Sequence, residues 1–286
     1  MRVTKNVTVS IVIPVYNEAD QLDACLQAVA RQTVTPDEVI VVDNNSTDDS
    51  LAIACSFSFV RVIKENRQGV AYARDCGFDA VKSDIIARID ADTIIAQNWV
   101  ETLQQLFKDQ QLDVVTGKMT YHDVAAASLV NAVDLVIRRW MAKVLAKDIA
   151  VQGANMALRR NVWRSIRTEM CHERGIHEDY DIAIHARKHN YSVQFDERLL
   201  VSIGYRQAAG GFRQFMSYAL ASPHTYARHD VRSGRHMYKV IVLLVVLYLP
   251  IKFVKLGYSR DTNRFAWHQL LFGDSQYRVN PATYID

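Results

Sequence analysis

Through the first 116 residues, apolar runs too short for helices alternate with stretches whose apolar residues fall at helical spacing. Val7 to Val15 is a nearly continuous apolar run, as a strand buried on both faces requires. Asp20 to Gln32 follows, with Leu22, Cys25, Leu26 and Val29 on one helical face. The alternation continues with a strand at Val39 to Val42, a helix at Asp48 to Cys55, a strand at Phe59 to Ile63 and a helix at Gly69 to Ala80. It ends with a strand at Ile85 to Ile89, a helix near Asn98 to Lys108 and a strand at Asp113 to Thr116. Repeated βαβ units with short connections specify an α/β chain on a mostly parallel, twisted sheet with helices on both faces. In open sheets of this kind ligands bind beyond the carboxyl ends of the strands. The residues that follow each strand are therefore the ones to read for chemistry.

Downstream the pattern changes. Val124 to Lys147 reads as one long helix, and Gln152 to Leu158 as a strand. Glu178 to His189 reads as a helix whose acidic first turn suits the helix dipole. Ser192 to Phe195 and Leu199 to Ile203 read as two short strands. The run from Val240 to Ile251, bounded by Lys239 and Lys252, would form a helix about 18 Å long, against a hydrocarbon core of about 30 Å. It suits a shallow or re-entrant insertion better than a span. The expected division is a sheet domain over residues 1–205 and a helical, partly apolar extension over 206–286.

Charge points the same way. The chain is formally +3, yet between Gly204 and Arg260 nine Lys or Arg residues face one acid, Asp230, so the rest is net acidic. A basic segment on an acidic body fits an anionic partner surface. Aromatic-rich RNA-binding signatures are absent, which favours a membrane over nucleic acid. The four cysteines form no CxxC pair, which argues against a disulfide framework or structural zinc and for a reducing compartment. Cys171, His172, His177 and His185 read as scattered. The N-terminus runs into the first strand with no signal-like apolar segment, so the expectation is a cytoplasmic protein, peripheral at the inner face of the cell membrane.

Three acidic stations carry the chemistry. Asp90-Ala91-Asp92 directly follows the strand Ile85 to Ile89. Two close carboxylates repel, and ionised together they want a cation, which in turn would accept the oxygens of a diphosphate. Upstream lies Asp43 to Asp48, after the second strand, and downstream His177-Glu178-Asp179. Pro14 to Glu18 closes the first strand at the same edge. Each has an ordinary reading: a turn capped by Asn17, an Asx turn with Ser46 or Thr47 capping the next helix, or an Asp pair capping a helix.

In order, Ile13 to Glu18, Val41 to Asp48, Asp90-Ala91-Asp92, Gly153-Ala154-Asn155 and Glu178-Asp179 resemble the motifs of the family 2 glycosyltransferases, over about residues 7 to 205. The resemblance implies a GT-A fold and an inverting, nucleotide-sugar-dependent transferase. It implies that Pro14, Tyr16, Glu18 and Asp43 line the nucleotide and that Asp90 contacts ribose or metal-bound water. Asp92 would coordinate Mg2+ or Mn2+. Gly153, Ala154 and Asn155 would lie on the acceptor and sugar side. Asp179 would be the catalytic base, with Glu178 orienting acceptor or base. Asn66 to Gly77 also resembles the family, with Gly69 letting backbone approach a ligand and Arg74 pairing with phosphate or with the acid cluster. Arg67 has a weaker claim, its alternative being a solvated face. Arg206 and Arg213 could reach the diphosphate or belong to the basic surface. Asp181 is expected to face elsewhere on its helix, and His177 to cap the first turn or touch acceptor.

Ile137-Arg138-Arg139-Trp140 echoes the QxxRW motif of processive synthases, but Val136 stands where Gln would, and the stretch precedes Glu178-Asp179. A single-addition enzyme is expected, with a nucleotide-sugar donor and a saccharide or lipid-linked acceptor. A nucleotidyltransferase would need a Gly-rich basic loop after the first strand, where this chain has Pro14 to Asp20 with no Gly and two acids. The remaining alternative is a non-catalytic sugar-nucleotide-binding or membrane scaffold.

Overall fold

In the computed structural model, which describes residues 7–121, 127–145, 150–204, 212–243, 245–246, 258–259 and 264–265, every residue of strand β1 (Val9–Val15) except Pro14 is buried. A strand buried on both faces must lie between two others. β1 pairs in parallel with β2 (Glu38–Asp43) and β4 (Ile85–Arg88), and β3 (Val60–Lys64) pairs in parallel with β2. Helices α1 (Ala19–Ala30), α2 (Ser50–Ser56) and α3 (Val70–Ala80) make the crossovers. Because side chains alternate along a strand, Val9, Ile11, Ile13 and Val15 pack with Leu22, Cys25, Leu26 and Val29 of α1 on one face. Val12 packs with Ile40, Val42, Ala73 and Phe78 on the other.

Beyond β4 the sheet continues through β7 (Met156–Arg159), β6 (Val114–Tyr121), β8 (Val193–Ile203) and β5 (Ile94–Ile95), in the order β3-β2-β1-β4-β7-β6-β8-β5. The pairs β4–β7, β7–β6 and β8–β5 are antiparallel. The βαβ half is thus the parallel half of a mixed sheet. Helices α4 (Trp99–Leu106), α6 (Arg160–Ile166) and α7 (Glu178–Lys188) complete the flanks.

Several local expectations change. Gly153–Asn155 is a 3₁₀ turn ahead of β7 rather than part of a strand. β8 is one strand instead of two: the polar run that looks like a break is an exposed stretch in which Arg198 folds back onto Asp196, 2.7 Å away. Two-residue β5 is too short to show a period, α6 follows β7 with no intervening turn, and neither is apparent in the sequence.

The chain divides into two compact units that no single cut separates. One takes in Met1–Met119, Ile149–His172 and Glu178–Ile203, and holds the sheet. The other takes in Thr120–Asp148, Glu173–His177 and Gly204–Asp286. Its described helices are α5 (Ala127–Leu145), α8 (Phe212–Arg228) and residues 237–243 with 245–246. In α5, Arg138 pairs with Asp134 one turn back. His177 donates its N–H to Thr225 Oγ1 at 2.9 Å, and its ring lies edge-on to Tyr218. Its polar atoms serve α8 rather than a cap on α7. Arg206, Lys252 and residues 247–251 of the apolar run lie outside the described residues.

The closeness of α3 to the sheet depends on Gly77. A Cβ there would stand 2.3 Å from Val12 Cγ1 and 2.9 Å from Val42 Cγ2. Gly77→Ala should therefore destabilise by about 1–3 kcal/mol despite the better helix propensity of alanine, read as a lower urea midpoint with unchanged slope.

Candidate active site

The carboxyl ends of β1, β2 and β3 are stitched together by side chains. Asn17, in the left-handed region at φ 53°, accepts the Thr47 N–H at 2.7 Å through its side-chain oxygen. Its own N–H goes to Ser46 Oγ, and that of Glu18 to Ser50 Oγ. Asn17 is thus a tie between loops, not a cap, and no side-chain cap is present on α1. Asp48, rather than Ser46 or Thr47, organises the entry to α2, its Oδ1 accepting from the Ser50 N–H and hydroxyl. Asp43 is buried at the end of β2 and its Oδ1 accepts the Ser46 N–H at 3.1 Å, closing an Asx turn. Buried Asn44 reaches to the loop after β3, donating to the carbonyls of Glu65 and Arg67 and accepting the Gly69 N–H at 2.7 Å. Gly69, at φ 141°, uses its freedom for that bond ahead of α3. Pro14, Tyr16 and Glu18 are part-exposed along the same edge. Arg67 forms a two-point pair with Glu65 and lies over the Tyr72 ring, an exposed structural role.

The acidic stations meet through two arginines. Arg88, the last residue of β4, is buried, and its Nη1 donates to both oxygens of Glu178 at 2.6 and 2.8 Å. Its Nη2 donates to Asp90 Oδ1 at 3.0 Å. Arg74, expected on the donor side, is fully buried among acids. Its Nε bonds Asp75, and its Nη1 bonds the Glu178 carbonyl at 2.6 Å and carboxylate at 3.1 Å. With no exposed surface it holds the acid cluster, one of the two roles expected of it. Burial works against the charge on Arg88, but Glu178 and Asp90 outweigh it and raise its pKa above the usual arginine value. Arg88 is the functional residue that motif reading misses. The available signal was a lone charge inside the apolar run Ile85 to Ile89, since such a charge must find a partner.

Asp179, at the start of α7, accepts the Gly153 N–H at 3.0 Å through one oxygen and the Tyr180 N–H at 2.9 Å through the other. This places the 153–155 turn against the Glu178-Asp179 pair. Gly153 is required there: a Cβ would stand 2.6 Å from the Arg88 guanidinium carbon. Ala154 is buried beside it. Asn155, expected on the acceptor side, is fully buried instead. It accepts from Trp99 Nε1 and donates to the carbonyls of Lys118 and Leu199, so it ties β6, β8 and α4 together. As expected, Asp181 turns into the protein.

Asp90 and Asp92 sit in the turn after β4, where the Thr93 N–H bonds the Asp90 carbonyl at 3.0 Å. The Asp90 side chain is 43% exposed while paired to Arg88. Their charge is felt inside: the thiol of buried Cys25 is pushed well above its ordinary pKa, first by burial and then by Asp92 and Asp90. A part-exposed turn with two hard oxygen ligands and a negative local potential fits a divalent cation.

Because Glu178 is half-buried and shared by Arg88 and Arg74, Arg88→Met should cost about 3 kcal/mol of stability by removing one of its two arginines. The double variant Arg88→Met/Glu178→Leu should recover part of that loss. Urea denaturation of the three proteins measures both.

The Glycosyl transferase family 2 model matches residues 10–165. Among curated proteins, the glycosyltransferase GlyG of Streptococcus pneumoniae is 36% identical over 120 residues, 40% of each chain. The undecaprenyl-phosphate 4-deoxy-4-formamido-L-arabinose transferase of Pseudomonas savastanoi is 33% identical over 153 residues, 50% of this chain and 42% of that one. The matches thus span less than half the length of either relative. Among solved structures, the mannosyltransferase PcManGT of Pyrobaculum calidifontis, in complex with GDP-Man and Mn2+, superposes with a TM-score of 0.61 at 17% identity, covering 86% of this chain and 71% of that one. The likeness establishes the GT-A fold. With the family model spanning more than half of its residues, the chain belongs to glycosyltransferase family 2.

Proposed function

We propose that the protein is an inverting, non-processive glycosyltransferase that moves a sugar from a nucleoside-diphosphate donor to a hydroxyl on a saccharide or lipid-linked acceptor. The observation that carries this reading is the Arg88 bridge. One guanidinium holds both the metal-type carboxylate Asp90 and the acid Glu178 next to Asp179, so donor-side and acceptor-side acids share one frame.

Pro14, Tyr16, Glu18 and Asp43 would line the nucleotide, on loops already fixed by Asn17, Asn44 and Asp48. Asp92, with Asp90, would hold Mg2+ or Mn2+, which acts as a Lewis acid toward the departing diphosphate. Glu178 is committed to two arginines, which makes it a poor proton acceptor and a good anchor. Asp179 is the better base: its position is fixed by two backbone N–H bonds. The acceptor hydroxyl gives its proton to Asp179 as its oxygen bonds the anomeric carbon. The bond from that carbon to the diphosphate oxygen breaks, and the nucleoside diphosphate leaves with the electron pair. Attack opposite the leaving group inverts the configuration. Gly153 and Ala154 keep the acceptor side free of bulk.

For the lipid-linked acceptor, the supporting feature is the helical residues 237–243 with 245–246. Val240 and Ile241 are buried, while Tyr238, Val242 and Val246 are 55%, 64% and 66% exposed. These three fall at i, i+4 and i+8, an apolar stripe beside exposed Lys239. Among the described residues no helix is long and apolar enough to cross a membrane. The reading is therefore a peripheral contact with an anionic membrane surface on the cytoplasmic side.

Asp179→Asn should lower transfer by about a hundred- to ten-thousandfold while calorimetric binding of the cognate nucleotide stays intact. Asp92→Asn should remove the Mn2+-dependent part of that binding, tested with UDP, GDP and dTDP. If neither variant changes turnover, or the wild type releases no sugar from any donor while still binding nucleotide, the scaffold reading replaces this one. In a separate test, Val242→Glu with Val246→Glu should reduce co-sedimentation with anionic vesicles several-fold. Wild-type binding should weaken as salt rises; equal sedimentation of both proteins would remove the membrane assignment.

A further inference from the structure

Cys171 and His185, which look unrelated in the sequence, are brought to one place by α7. Asp181 and His185 are one turn apart on the same helix face. The ligand atoms of Cys171, Asp181 and His185 lie within 4.8 Å of one another, where ligand atoms around a tetrahedral zinc stand about 3.3–3.8 Å apart. A contraction that small is within reach of side-chain rotation.

The surroundings are those of a metal site. Asp181 is fully buried, and its Oδ2 accepts the Cys171 N–H at 2.7 Å, so the carboxylate is fixed by the segment that supplies the thiol. The Nδ1 of His185 lies 2.9 Å from Glu169 Oε2. With the Nδ1 proton given to that carboxylate, the Nε2 lone pair would face inward, the arrangement that backs metal-bound histidines. That Nε2 is 3.3 Å from Asp181 Oδ1. Two electron-rich atoms so close in a buried setting need a proton or a metal cation between them. A third ligand, the Cys171 sulfur, converges on the same point, and this favours the metal. With a thiolate, an imidazole and one carboxylate, the set is softer than the oxygen-only Asp90/Asp92 pair and suits Zn2+ rather than Mg2+.

We propose that Cys171, Asp181 and His185 form a second metal site, selective for Zn2+, that pins the segment entering α7 to the helix bearing Glu178 and Asp179. Binding would deprotonate the Cys171 thiol, its proton passing to solvent. The inference is independent of the transfer reaction.

The test uses the full chain, reduced, stripped with a chelator and titrated with Co2+ under saturating Mg2+. One equivalent should bind with the intense visible bands of tetrahedral cobalt and a thiolate-to-cobalt charge-transfer band, and Zn2+ should displace it. Cys171→Ser should abolish the charge-transfer band, and His185→Gln should weaken Co2+ binding tenfold or more. Glu169→Gln, which leaves all three ligands in place, should weaken it by about 10–100-fold. Asp92→Asn should leave band and affinity unchanged, which separates this site from the donor-side cation. The proposal is overturned if wild-type protein gives no thiolate band, if the band survives Cys171→Ser, or if Glu169→Gln binds as tightly as wild type. The Glu169 variant decides the matter if the ligand variants do not fold.

Discussion

Two arginine side chains with almost no access to water set the terms for the catalytic unit. A buried guanidinium is tolerable only with charged partners at hydrogen-bond distance, and Arg88 and Arg74 find theirs on Asp75, Asp90 and Glu178. These acids come from α3, the turn after β4, and the first residue of α7. None of the three elements can shift without stranding a charge. Such clusters add little net stability over an apolar core, and their gain is a fixed geometry. Here that geometry is the spacing between the acids that follow β4 and the acid pair that opens α7. Gly153 completes the arrangement by letting the chain pass against the Arg88 guanidinium.

The proposed nucleotide side is preorganised by neutral side chains instead. Asn17, Asn44, Ser46 and Ser50 exchange hydrogen bonds between loops, so the ends of three parallel strands form one surface before any ligand arrives. Ordering those loops beforehand removes an entropic cost from binding. It also explains why motif residues such as Asn17 and Asp48 serve the scaffold while their neighbours Tyr16, Glu18 and Asp43 remain candidates for ligand contact.

The parallel half of the fold was legible because its signal is regular: β1, β2 and β4 are largely apolar runs, and α1 repeats its apolar face. β5 was not, since two residues carry no period, and α6 follows β7 directly, with Arg159 and Arg160 adjacent, so no turn signal separates it from the strand. The acid stations were legible as patterns at strand ends. What each acid touches was not, because partners such as Arg88 and Glu178 lie 90 residues apart in the chain. Asn155 shows the same limit: its motif suggests contact with substrate, while its three long-range hydrogen bonds make it a strut. Cys171, Asp181 and His185 converge only once α7 has coiled and the segment before it has folded back.

The place of β5 has a consequence for biosynthesis. Ile94 and Ile95 follow Asp92 by two and three residues, yet they pair with Ser202 and Val201 of β8, and the Ala96 N–H bonds the Leu200 carbonyl. A nascent chain emerging from the ribosome can assemble β1 to β4 early, but the acidic turn lacks both its closing strand and its Arg88 anchor on Glu178 until about residue 203 has been made. Since domains fold as units during synthesis, the Asp90–Asp92 end of the sheet is among the last parts of this unit to form, and an incomplete nascent chain lacks the framework on which the proposed donor site depends.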